Sequence, residues 1–96
     1  MIGSFADRDA EKLWSERLAS KRLRPYADAA LAKLMLLDAA VRADDLRVPP
    51  GNRLKLLEPK SAGIWQIRIN GVHRIRFRWD CGNAQDVQIG DFHDDD

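Results

Sequence analysis

Cysteine is almost absent from this 96-residue chain: Cys81 is the single one, which excludes an internal disulfide and a cysteine-built zinc site. That usage fits a reducing compartment, and the cytoplasm is the expected location. The longest apolar stretch, residues 29–41, is interrupted by Lys33 and Asp38 and is too short and too charged to cross a bilayer. No apolar run follows the opening Met1-Ile2-Gly3-Ser4, so no secretory signal is expected. There is no glycine-rich phosphate loop, no pair of histidines at metal-ligand spacing and no serine elbow of the hydrolase kind. Glu58 has no neighbouring carboxylate with which to work as a glycosidase pair. Neither a cofactor nor a metal is implied, and the length argues for one domain over residues 1–96.

What is present is charge, unevenly placed. The formal net charge is +1, yet all sixteen basic residues precede Trp79, whereas Asp91, Asp94, Asp95 and Asp96 crowd the end. Residues 1–90 hold sixteen basic and eleven acidic residues, a net +5, and residues 46–90 account for all of that excess. A compact basic half suits a polyanionic partner, since Lys and Arg displace counterions from phosphates. It equally suits strands with a well-solvated face.

The chain divides by periodicity into a mainly helical part, residues 1–45, a sheet, residues 46–93, and an acidic tail, residues 94–96. Ile2 to Phe5 reads as a short edge strand. Asp7, Asp9 and Glu11 favour a helix start, and Ala10, Leu13, Trp14, Arg17 and Leu18 carry it across about residues 7–18. Pro25 sits just inside a second helix, about 25–41, whose stripe is Tyr26, Ala30, Leu34, Leu37 and Val41, widened by Leu31 and Met35. After Pro49-Pro50-Gly51 the period falls to two: Arg53 and Lys55, Gln66 and Arg68, Arg74, Arg76 and Arg78, then Asp86 and Gln88 each alternate with apolar neighbours. Four half-buried antiparallel strands under two helices follow, an α+β fold with a four- to five-stranded sheet.

The turn at Asn70-Gly71 sets the register. A two-residue loop would oppose Ile67 to Arg74 and mix the two faces. A three-residue loop, Asn70-Gly71-Val72, pairs Arg68 with Arg74, Ile67 with Ile75 and Gln66 with Arg76. The sequence therefore predicts one apolar face and one bearing Arg68, Arg74, Arg76 and Arg78, with Arg53 and Lys55 alongside. Like charges so close repel unless a phosphate backbone or an acidic segment lies across them. His73 shares parity with Ile75 and Phe77 and reads as a packed histidine. Cys81-Gly82-Asn83 reads as a hairpin turn.

Beyond the last strand, alternation carries Phe92 onto the basic face, where it could stack on a base, with His93 as acid or base and Asp91 to orient it. Read from residues alone, the same end serves as a tail whose Phe covers the sheet. Carboxylates on both sides of His93 favour its cation, and the tail could fold back on Arg76 and Arg78.

Pro49-Pro50-Gly51-Asn52-Arg53-Leu54, Gly63-Ile64-Trp65-Gln66-Ile67-Arg68-Ile69-Asn70, His73-Arg74-Ile75-Arg76-Phe77-Arg78-Trp79 and Asp86-Val87 leading to Asp91-Phe92-His93 together resemble the HigB-type toxins, of the plasmid-maintenance branch of the RelE/ParE superfamily. The resemblance implies a ribosome-dependent, metal-free endoribonuclease that cuts mRNA by attack of a 2′-hydroxyl on the adjacent phosphate. It makes Arg74, Asp91, His93 and Lys55 the catalytic residues. Arg74 would take the phosphate charge, Asp91 and His93 would share proton handling and substrate placement, Lys55 would bind phosphate where some relatives carry histidine, and Phe92 would stack on a nucleobase. Arg53, Arg68, Arg76 and Arg78 would hold RNA. The implied partners are a HigA-like helix-turn-helix antitoxin, the ribosome with its mRNA, and operator DNA through the antitoxin complex alone, with no membrane. Two other functions fit the same fold: a non-catalytic module that binds antitoxin or nucleic acid, and inhibition of DNA gyrase.

Overall fold

A computed structural model describes residues 1–57 and 63–92. The first helix, α1 (Arg8–Glu16), starts where its end groups demand: Asp7 is extended and its carboxylate accepts from the amides of Asp9 at 3.0 Å and Ala10 at 3.4 Å. The helix stops two residues earlier than its apolar spacing predicts. Arg17 adopts a left-handed conformation (φ 56°) and the Leu18 amide turns back to the Lys12 carbonyl, a C-terminal lock usually left to glycine. Arg17 also places its guanidinium 5.0 Å from the centre of the Trp14 ring.

Pro25 lies in a 3-10 turn, Arg24–Tyr26, that feeds directly into α2 (Ala27–Ala39). Ala30, Leu34 and Leu37 are fully buried, as their spacing requires, but Val41 and Met35 are exposed. Val41 leaves the stripe because Ala40 turns extended, and Asp45 captures the amides of Val41 and Arg42 at 2.9 and 3.0 Å to start a new turn, Ala43–Arg47. Met35, within the helix and next to buried Leu34, lies on its solvent side. A further 3-10 turn, Pro50–Asn52, is pinned by buried Asn52. Its side-chain amide donates to the carbonyls of Leu46 and Val48 and its oxygen accepts from Lys33 at 2.6 Å.

Four antiparallel strands follow in sequence order across one sheet: β1 (Lys55–Leu56), β2 (Ile64–Arg68), β3 (His73–Asp80) and β4 (Asn83–Asp91). The β2–β3 register pairs Arg68 with Arg74, Ile67 with Ile75 and Gln66 with Arg76. This is the three-residue loop, and the Asn70 side chain closes it by accepting from the amides of Val72 and His73. Cys81 and Gly82, both at positive φ, make a tight β3–β4 turn of the kind whose twist matches the strands. The fifth strand is partial: residues 2–5 run parallel to the outer edge of β4 through bridges of Ile2 to Ala84 and Phe5 to Val87.

An extra residue in β4 shifts the register between Arg76 and Arg78, with Asp86 at φ 53°. The bulge lets Ala84 and Val87, three apart, both face the core. Leu13, Leu23, Leu34 and Leu37 from the helical half meet Ile67, Ile75, Phe77, Val87 and Ile89 from the sheet. No described helix is long and apolar enough to cross a membrane.

Candidate nucleic-acid interface

The face of the sheet turned away from the helices is organised in rows. Lys55, Gln66, Arg76 and Gln88 occupy successive partner positions on β1 to β4, and Arg68, Arg74 and Gly90 form the next row on β2 to β4. Arg78 follows along β3. Alternation thus gathers on one surface five of the six cationic side chains that the sequence predicts there, Arg53 being the exception.

Their like charges are accommodated by acceptors within the chain. Arg68 and Arg74, direct partners across two strands, converge on one atom, the Asn70 carbonyl oxygen: Arg68 Nε donates at 3.1 Å and Arg74 Nη1 at 2.5 Å. Arg74 Nη1 also donates to the His73 carbonyl at 3.1 Å. Arg76 Nε donates to the side-chain oxygen of Gln66 at 3.0 Å, and Arg78 pairs with Asp86 at 2.8 Å across the bulge. Charge-assisted bonds of this kind hold guanidinium groups in place before any ligand arrives.

Arg74 departs from a simple surface picture, being only 2% exposed. Arg68, Arg76 and Arg78 are half-buried, and Lys55 and Arg53 are exposed. Arg53 is not in β1. It holds a left-handed turn (φ 47°) after Pro50–Asn52, its amide bound to the Pro50 carbonyl, so the strand alternation predicted from Arg53 onward begins only at Lys55.

Phe92, just past the end of β4, lies on this same face. The Arg76 guanidinium carbon sits 3.9 Å from the centre of its ring, a cation–π stack. Asp91 occupies the partner position to His73 and so belongs to the opposite parity from Arg74 and Gly90. His73 itself is packed: its ring stacks on Tyr26 at 3.9 Å and 17°, and Nδ1 lies 3.2 Å from the Asn70 side-chain oxygen. His93, the tail Asp94 to Asp96 and the turn Glu58-Pro59-Lys60 lie outside the described residues. Among the described residues no three His, Cys, Asp or Glu side chains gather as a metal site needs.

One anchor ties this face to the helical half. Asp7 accepts from the Ile89 amide at 3.0 Å and pairs with Arg22 at 2.5 Å, while Arg22 donates to the Ile89 carbonyl at 3.0 Å. Burial pushes the Asp7 carboxyl up, but the bonds from Arg22 and from backbone amides outweigh it and hold the group below its ordinary value. The end of β4 is thereby fixed immediately before Gly90.

Residues 3–93 match the family described as RelE-like toxin of type II toxin-antitoxin system HigB. The chain is also 37% identical over 90 residues to "Toxin HigB-1" of Vibrio cholerae, a span covering 93% of this chain and 95% of that protein. The chain belongs to the HigB family of RelE-like toxins. An uncharacterized protein of Haemophilus influenzae is 42% identical over 57 residues, 59% of this chain and 56% of its own length. As a HigB-type toxin of a type II system, the protein has an antitoxin as its partner. Three residues of this HigB-family face have roles that the sequence reasoning missed. Asn70, Gln66 and Gly90 matter through a carbonyl, a buried acceptor and a missing side chain, none of which alternation singles out.

Proposed function

We propose that the protein is a ribosome-dependent mRNA endoribonuclease of the cytoplasm. The observation that carries this reading is the preorganised cationic face with an aromatic ring on it: Arg68, Arg74 and Arg76 held by internal acceptors, and Phe92 stacked over Arg76. Such a face offers both of the contacts that single-stranded RNA uses, cations for the backbone and a π surface for a base.

In this reading Lys55, Arg53, Arg68, Arg76 and Arg78 bring in the backbone, and Phe92 takes a base on its face. The substrate 2′-oxygen attacks the adjacent phosphorus, its proton passing to a base. The bond from phosphorus to the 5′-oxygen breaks, and that oxygen receives a proton, leaving a 2′,3′-cyclic phosphate and a 5′-hydroxyl. His93, oriented by Asp91, handles the protons. Arg74 meets the charge that builds on the phosphate, and its burial makes that charge felt through a low dielectric. The antitoxin partner is a helix-turn-helix protein of the HigA kind, and operator DNA is bound through it.

Induced expression followed by mapping of mRNA 5′-ends tests the function. In-frame cleavages that vanish when ribosomes are withheld are expected. Growth arrest with intact mRNA and blocked supercoiling would transfer the activity to DNA gyrase.

A further inference from the structure

Phe92 rests on this face because Gly90 has no side chain. A β-carbon built at Gly90 would stand 2.6 Å from Phe92 Cζ and 2.8 Å from Cε2, closer than packed carbons come. The glycine is not there for its backbone freedom. Gly63 and Gly82 are the glycines at positive φ, and Gly90 lies inside β4 at a position any residue could adopt. A strand glycine of this sort marks a close approach, and what approaches is the Phe92 ring.

The ring is then fixed from a second direction. Arg76, opposite Gln88 in the neighbouring row, lays its guanidinium 3.9 Å from the ring centre. That guanidinium is set in turn by Gln66, which is 1% exposed and accepts from Arg76 Nε at 3.0 Å. Gly90 is also the strand partner of Arg74. Its empty side-chain position therefore holds the aromatic ring beside the residue proposed to meet the phosphate.

We infer that Gly90 is a positioning residue that seats Phe92, with Gln66 as its counterpart through Arg76, so that a nucleobase stacked on the ring is held at a set place relative to Arg74. This rests on the RNA-cleaving reading above for the identity of the ligand, and on the geometry alone for the seat. Neither residue touches substrate. Both act through Phe92.

The test has one arm on the free protein and one on RNA. By NMR, the Arg76 Hδ and Hε protons should resonate upfield in the wild-type chain, under the ring current of Phe92. The upfield shift should be lost in Gly90→Ala and in Phe92→Ala, and reduced in Gln66→Ala. Anisotropy of a fluorescein-labelled, fully 2′-O-methylated single-stranded RNA then reads the consequence, since that probe cannot be cleaved. Gly90→Ala and Phe92→Ala should each weaken binding by roughly 5- to 150-fold, the range for one stacked base. The double variant should bind no worse than Phe92→Ala, because both changes act through one ring. Leu13 and Leu34 core resonances unchanged in Gly90→Ala would show that the fold is kept. An Arg76 shift that persists in Gly90→Ala, or a double variant whose loss is the sum of the two, overturns the inference. Wild-type protein with the upfield shift but no affinity for the probe would instead remove RNA as the ligand and leave the seat standing.

Discussion

Asp7 is where the helical half and the functional strand are joined, and its removal has a magnitude that can be built from its contacts. The carboxylate caps α1 through the amides of Asp9 and Ala10, accepts the Ile89 amide of β4 at 3.0 Å, and pairs with Arg22. Loss of an N-cap costs about 1 kcal/mol. Leaving the partly buried Ile89 amide without its acceptor costs ~1–3 kcal/mol more. The ion pair adds little, because the Arg22 side chain is 42% exposed and keeps Asp9 at 2.7 Å. Asp7→Ala should therefore destabilise the protein by ~2–4 kcal/mol, and lower Tm by roughly 10–25 °C in a domain of this size. Asp7→Asn keeps an oxygen for the cap and should lose about half as much.

The pH dependence follows from the sign of the Asp7 shift. Its carboxyl is held below its ordinary value in the folded chain, so its contribution is complete above about pH 4, near the unfolded pKa. It is lost as pH falls through the lowered folded value. The gap between wild type and Asp7→Asn should be constant from pH 7 to 5 and close toward pH 2. Urea unfolding followed by tryptophan fluorescence across that range measures both numbers. If Asp7→Ala unfolds within ~0.5 kcal/mol of wild type, or if the gap to Asp7→Asn persists unchanged at pH 2, the anchor described here is wrong.

Two further outcomes are expected. Arg74→Ala should reduce single-turnover cleavage on programmed ribosomes by ~10²–10³, the usual cost of one preorganised donor, while leaving a folded chain by circular dichroism; unchanged kinetics would take Arg74 out of the mechanism. At the β3–β4 turn, the Cys81 thiol donates to the Asp80 carboxylate at 3.4 Å, and that bond and charge push its pKa up. Cys81 should consequently react more slowly than free cysteine with a disulfide reagent at pH 8, and Asp80→Asn should speed it; equal rates in both proteins would refute the Asp80 contact.

Much of this molecule was legible before folding was considered. Alternation placed Arg68, Arg74 and Arg76 on one face, and the demand that faces stay unmixed selected the three-residue loop at Asn70. Those are local or pairwise constraints, so residue order suffices. Helix ends were less legible, because Arg17 in a left-handed turn and Asp45 capturing the Val41 amide are choices of backbone geometry that apolar spacing does not record. The sequence also predicted repelling arginines, whereas the fold gives each a carbonyl, an amide oxygen or a carboxylate. Only the tertiary structure could show that Arg68 and Arg74 share the Asn70 carbonyl, that an extra residue at Asp86 brings Ala84 and Val87 to the same side, and that the vacancy at Gly90 receives Phe92. Each of these depends on atoms brought together from different strands, turns or strand ends, where partner and distance are set by three-dimensional packing, and a one-dimensional pattern holds no such coordinate.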